Sequence, residues 1–308
     1  MSIRKSSGST VVPYLFLLPA LTILSLSIFW PALQAFYWSF TQFETLGQTP
    51  TWIGLGNFKQ LWVDEGFWKS LGNSFLYLIG VVPILVIVPL GLAILVNQKL
   101  KGIHWFRAAY YTPVVISMVV AGIAWKWLYD ERGLLNKFIE FLAQNPVFAH
   151  FLEGWGWTGK PITWLQNPDI ALFCIMAVTI WKGLGYYMVI YLAGLQAIPQ
   201  DLYEAAAIDG ADGWQKHWDI TVPLMKPYLM LVAVISAISA AKVFEEVYIM
   251  TPGGGVVGST TTIVLKLYQE AFGDVGAGYS YACAMGLVLF LIIFSLSLLN
   301  LKLGQLRG

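Results

Sequence analysis

Five ionisable side chains sit where the chain is otherwise apolar: Lys126 at the end of 108–128, Lys182 within 170–195, and Lys242, Glu245 and Glu246 within 228–250. On insertion scales such a group costs at least about 2.5–3.5 kcal/mol inside a membrane span, so it pairs or serves function. At 100° per residue, Ser239, Lys242 and Glu246 fall within about 60° on a helix, with Ser236 at the edge of the stripe and Glu245 about 100° away. Lys242 and Glu246 are then i,i+4 partners, and the spacing leaves open a self-satisfied ion pair or a grip on a polar solute. In the 170–195 run, Lys182, Gly183, Tyr186, Tyr187 and Tyr191 lie in one stretch, with Gly183, Tyr187 and Tyr191 on one face. Aromatic rings that stack on sugar C–H faces, beside charges that bind hydroxyls, suit a polyol. Interfacial tyrosines and helix packing at glycine account for the same composition equally well.

Other chemistry is excluded. The chain holds no Ser/His/Asp cluster, paired His or acidic dyad with catalytic spacing. Gly154 to Gly159 fits G-x-G-x-x-G, but Lys160-Pro161 follows where a helix should begin. Gly253 to Thr260 fits a P-loop frame with Ser259 in place of the phosphate-binding Lys. His104, His150 and His217 share no ligand spacing, and Cys174 and Cys283 lie in apolar runs, as inert core thiols do. The chain is therefore expected to bind no metal or cofactor and to be no enzyme by itself.

The elements that position these residues follow from composition. The AVILMFWYC set makes up 57% of 308 residues and charged residues only 11%, too few to cover a soluble globule. About 20 apolar residues cross a bilayer, and six segments qualify: 14–36, 71–96, 108–128, 170–195, 228–250 and 279–301. The first run is too long for a signal-peptide core and no A-x-A site follows closely, so it reads as a retained helix. The expected fold is an all-α integral membrane protein, one transmembrane domain over 1–308. With the N-terminus inside, the inner segments hold Arg4, Lys5, Lys99, Lys101, Arg107, Lys216, Lys226, Lys302 and Arg307. The longer outer loops hold Lys59, Lys69, Arg132, Lys137, Lys160 and Lys266. Cation density therefore predicts both termini and the loop 196–227 in the cytoplasm. Trp52, Trp62, Trp68, Trp125, Trp127, Trp155, Trp157, Trp164 and Trp181 crowd the outer ends as an aromatic belt.

The inner loop 196–227 reads as a helical hairpin. Pro199 stops the fourth span, Asp201 and Glu204 stand in the D-x-x-E relation of a capping box, and Gly210 ends the short helix in an αL turn. Asp212-x-x-Gln215 repeats the capping pattern for a second short helix up to Pro223.

Glu204-Ala205-Ala206, Gly210, Ile220 and Pro223 resemble the EAA motif of ABC importer permeases, E-A-A-x3-G-x9-I-x-L-P, with Val222 in place of Leu. Gly194-Leu195-Gln196-Ala197-Ile198-Pro199 before it and Lys226-Pro227 after it resemble the carbohydrate branch, within it the maltose-type first permease subunit. Phe244-Glu245-Glu246-Val247-Tyr248 looks like that branch's F-D-E-[IV]-Y with Glu for Asp. Thr251-Pro252-Gly253-Gly254-Gly255 looks like T-G-G-G-P with an early Pro. Asn57-Phe58 and Thr112-Pro113 also fit. The resemblance covers about 11 to 302. It implies the type I ABC importer permease fold in a prokaryotic inner membrane. The implied partners are a second permease subunit, two ATP-binding subunits that carry the ATP and Mg, and an extracytoplasmic solute-binding protein. It implies ATPase coupling at Glu204, Ala205, Ala206, Asp209, Gly210 and Ala211. It matches Gly183 and Tyr186 to sugar-contacting positions, which makes Gly183, Tyr186, Tyr187, Ser236, Ser239, Lys242 and Glu246 the candidate substrate site, Ser236 versus Ser239 remaining open. A secondary transporter coupled by ions through Lys242 and Glu246 is the alternative, and the EAA loop argues against it.

Overall fold

The computed structural model describes residues 12–43, 49–98, 101–154, 157–211, 213–273 and 278–305. Arg4, Lys5, Lys99, Trp155, Gly156, Asp212 and Arg307, which enter the charge, belt, glycine-motif and capping expectations above, lie outside the described residues. Helix α1 runs Pro13–Trp38. A two-stranded antiparallel ribbon follows, β1 Thr41–Gln42 and β2 Thr51–Trp52, in the register Thr41 opposite Trp52. Then come α2 Gly56–Val63, α3 Glu65–Val96, α4 Ile103–Val115, α5 Met118–Leu128, α6 Leu134–Ala143, α7 Pro146–Gly154 and α8 Ala171–Gln196. The hairpin holds α9 Gln200–Ile208 and α10 Trp214–Leu224. The rest is α11 Lys226–Ala241, α12 Glu245–Met250, α13 Ile263–Phe272 and α14 Tyr279–Gln305.

Among the described residues, four helices are long and apolar enough to span a bilayer as they stand: α1, α3, α8 and the α14 stretch Tyr279–Leu298. The other two expected spans, 108–128 and 228–250, depart from straight helices. The 108–128 segment is divided between α4 and α5, which meet at 99°. Ile116 and Ser117 are extended there, and the Ser117 hydroxyl caps α5 by accepting from Val120 N. Pro113 sits one turn before the break. The 228–250 segment ends as a helix at Ala241, is irregular over Lys242–Phe244 and resumes as α12. Helix α11 also meets α10 at 67°. Apolar length predicts how much chain fits in hydrocarbon but not whether that chain stays helical, because a break is tolerated where other groups satisfy the freed backbone.

Two compact units divide the chain: described residues up to Asp64 with Leu267–Phe290, and Glu65–Lys266 with the described residues from Leu291 on. In the first, buried Asn57 donates to the Ser39 and Thr41 carbonyls at 2.9 and 2.8 Å and fixes the turn from α1 into the ribbon. Phe40 stacks on Trp52 beside it. Ser280 accepts from Phe43 N and donates to Phe43 O, and Tyr281 donates to Asp64 at 2.7 Å.

The second unit is built on α3 against α8. The core is aliphatic, with tyrosines whose hydroxyls find partners: Tyr77 bonds Thr179 at 2.5 Å and Tyr191 donates to the Val86 carbonyl at 3.0 Å. Small residues set the spacing, as expected where lipid gives no hydrophobic push between helices. A Cβ on Gly80 would meet the Met176 sulfur at 2.8 Å, one on Gly183 the Leu85 side chain at 2.9 Å, and one on Gly185 the Tyr110 carbonyl of α4.

Gly185 is the tightest of these, because backbone cannot swing aside as a side chain can. Overpacking of this kind costs about 1–3 kcal/mol. We expect Gly185→Val to lower the thermal midpoint of the detergent-solubilised protein by several degrees. Gly72→Ala, with open space around its Cβ, should leave it unchanged or raise it. Differential scanning fluorimetry of the two variants checks both.

Candidate functional site

The hairpin between α8 and α11 is the first site. Pro199 is extended and α9 begins after it, with no side-chain cap bond. The Asp201–Glu204 capping box therefore does not form. Asp201 lies inside the first turn, where its carboxylate favours the positive end of the helix dipole by about 0.3–1 kcal/mol. The other end is as the glycine predicts. Gly210 has φ +86°, Ala211 N donates to Ala206 O at 2.8 Å and Gly210 N to Ala207 O at 3.2 Å, a Schellman closure. Glu204, Ala205 and Asp209 are exposed, and Ala206 and Ala211 are half-buried.

Thr221, buried within the motif, ties the two arms together. Its hydroxyl meets the Tyr203 hydroxyl at 2.9 Å and His217 Nδ1 at 3.2 Å. Motif spacing gave no sign of this role. The hairpin also exposes large apolar side chains among its charged ones: Leu202, Ile208, Trp214 and Trp218, Ile208 at 87% and Trp214 at 74%.

The second site lies among the ionisable groups of the apolar runs. The helical-wheel pairing of Lys242 with Glu246 fails because Lys242 follows the end of α11 and Glu246 begins a separate helix. Lys242 is exposed. Glu246 is half-buried at the start of α12, within electrostatic reach of Lys182 of α8 and of Tyr77. Lys182 Nζ donates to the Val114 carbonyl at 3.4 Å, in the last turn of α4 just before its break. Carbonyls in a last turn lack intrahelical partners, and a cation there also meets the negative end of the dipole. At the other break the Thr262 hydroxyl donates to Val243 O at 3.1 Å. Lys182 thus ties α8 to the end of α4.

The remaining expected residues are spread over distinct environments. Tyr186 is exposed and meets buried Tyr187 edge-on at 5.1 Å. Gly183, under Leu85, and Tyr191 serve helix packing in this structure. Ser236 is buried with its hydroxyl returned to Val232 O at 2.7 Å, while Ser239 is exposed. The candidate P-loop frame is a tight turn with Gly253, Gly254, Gly255 and Gly258 at positive φ, closed by Thr251 to Thr260 at 2.7 Å.

Spans that bend around charged side chains, instead of closing into a sealed apolar bundle, define a membrane transport component. Residues 63–305 match the family described as binding-protein-dependent transport system inner membrane component. The chain belongs to that family, and is an inner-membrane protein. It is 32% identical to the trehalose/maltose transport system permease protein MalF of Thermococcus litoralis, over 96% of this chain and 94% of that one. It is 33% identical to the lactose transport system permease protein LacF of Rhizobium radiobacter, over 93% and 92%. Its fold is shared with a crystal structure of a bacterial ABC transporter that imports the polysaccharide alginate, at a TM-score of 0.79 and 22% identity, over 96% of this chain and 95% of that chain.

Removing Lys182 takes the donor from the Val114 carbonyl and leaves the half-buried Glu246 with one fewer cation within electrostatic reach, and uncompensated groups at this depth are costly. We expect Lys182→Met to be less stable than the double variant Lys182→Met/Glu246→Gln. Lys242→Met, at an exposed position, should cost less than either. Thermal midpoints of the three in detergent decide the order.

Proposed function

We propose that this chain is the permease subunit of an ATP-driven importer, passing a sugar or sugar-like polyol from an external solute-binding protein to the cytoplasm by alternating access. The observation that carries the reading is the EAA hairpin with its exposed apolar surface. A helix pair that displays Leu202, Ile208, Trp214 and Trp218 is unfavourable in water, and burying such side chains stabilises a complex by about 1.5–3 kcal/mol each. The occupant we assign is an ATP-binding subunit, one of two, holding the ATP and Mg that this chain has no motif to bind. Glu204, Ala205, Ala206, Asp209, Gly210 and Ala211 form the contact, and the Schellman turn and the Thr221 clamp make it stiff enough to transmit movement. The hairpin and both termini face the cytoplasm on the cation-density argument. A second permease subunit completes the pathway.

On the substrate side the candidate residues are Gly183, Tyr186, Tyr187, Ser236, Ser239, Lys242 and Glu246, of which Tyr186, Ser239 and Lys242 are exposed. The sugar class rests on the relatives named for trehalose/maltose and lactose. Exposed Tyr186 offers a ring face for stacking.

We expect Gly210→Val to abolish uptake, since its φ of +86° opposes a β-branched residue although its Cβ would meet nothing. Gly210→Asn, which tolerates αL, should retain part of it. Glu204→Lys should abolish uptake as well. In reconstituted proteoliposomes Tyr186→Ala should lower sugar uptake while ATP hydrolysis without substrate persists. Uptake at the parental level in both Gly210→Val and Glu204→Lys, with normal assembly, overturns the coupling role.

A further inference from the structure

Helix α6 lies in a segment too charged to span a bilayer, with Glu131, Arg132, Lys137 and Glu140 within ten residues. It nonetheless exposes a row of large apolar side chains: Leu134, Phe138 and Phe141 at 66%, 58% and 64%. Their i, i+4, i+7 spacing puts them on one face. The opposite face, Leu135, Asn136, Ile139 and Leu142, is buried or half-buried in the unit. Lys137 and Glu140, both exposed, occupy the sector between. The helix therefore has three faces: one against protein, one charged and one apolar without a covering among the described residues. A helix in water needs only two.

Its position is fixed. Five residues, Tyr129–Gly133, separate it from the end of α5, the outer half of the third span. Asn136, 2% exposed, clamps that turn. Its Nδ2 donates to the carbonyls of Asp130, Glu131 and Ile162 at 3.2, 3.2 and 3.0 Å, and its Oδ1 accepts from Ile162 N at 3.0 Å. The turn before α6 packs through Tyr129 into a ring cluster with Trp125, Trp164 and Trp181, and exposed Trp127 in the last turn of α5 is of the kind that marks the headgroup level. The helix cannot leave the end of α5 without breaking the Asn136 bonds. Helix α7, next in the chain, exposes Val147 and Phe148 too.

We propose that α6 is an interfacial anchor: Leu134, Phe138 and Phe141 insert into the lipid leaflet around the end of the third span, with Lys137 reaching up to the headgroup phosphates and Glu140 in water. A helix with an apolar face at the acyl boundary and charges above it is the arrangement such anchors require. The helix then holds the α4–α5 break at a fixed depth.

The test uses the assembled transporter in lipid nanodiscs, with Cys174 and Cys283 replaced by Ala. Nitroxide labels go on Phe138→Cys, Phe141→Cys, Lys137→Cys and Glu140→Cys, and collision rates with oxygen and a water-soluble nickel complex are measured. We expect the oxygen-to-nickel ratio at 138 and 141 to exceed that at 137 and 140 severalfold. Equal nickel access at all four positions overturns the proposal, as does a lipid-like ratio at all four. Exclusion of both probes from 138 and 141 assigns the face to the second permease. Exclusion that appears only on adding solute-binding protein assigns it to that protein. Either result is equally fatal to the lipid assignment. Ile87→Cys on the exposed side of α3 must show the lipid ratio; its failure would instead count against the membrane-span reading itself. A photoreactive acyl-chain lipid on the unlabelled transporter gives the same answer without substitution: adducts at Phe138 or Phe141 support the anchor, and their absence while α3 is modified overturns it.

Discussion

Hydrocarbon offers no hydrogen bonds, and the broken spans of this protein are arranged around that fact. Each interruption leaves backbone groups without helical partners, and specific side chains meet some of them. Ser117 caps the helix that follows the first break, Lys182 takes the Val114 carbonyl before it, and Thr262 takes the Val243 carbonyl at the second. Remove these groups and the bends become untenable; with them, spans three and five hold polar side chains that a straight apolar helix would not.

Lys182 stands on α8, an unbroken helix tied to α3 by tyrosine hydroxyls and close-packed glycines, so its stem is fixed. Its ammonium then answers the end of α4 at the Val114 carbonyl, with the half-buried Glu246 within electrostatic reach.

The hairpin works by a different principle. Its shape is local: a Schellman turn at Gly210 and the Thr221 hydroxyl between Tyr203 and His217. Leu202, Ile208, Trp214 and Trp218 face outward, free for the docking proposed above. Stiffness inside and exposure outside are what a docking element needs, since a soft hairpin would absorb displacement instead of passing it to α8 and α11.

Much was legible in the sequence. Apolar run lengths fixed the membrane class and four of the spans, because hydrocarbon thickness sets helix length. The glycine of the EAA stretch specified a left-handed closure, because Gly alone enters αL without steric cost. Spacing could not decide what required other parts of the chain. The i,i+4 pairing of Lys242 and Glu246 presumed one continuous helix, and the backbone breaks at 242–244. The capping box at Asp201 presumed that the helix starts one residue beyond it, and Pro199 starts it sooner. Lys182 meets Val114 across 68 residues and Thr262 meets Val243 across 19. These partners decide where a span bends, and only the folded chain brings them together: a helical wheel registers neighbours within one helix, whereas satisfying a freed carbonyl in hydrocarbon depends on whichever donor the tertiary packing delivers.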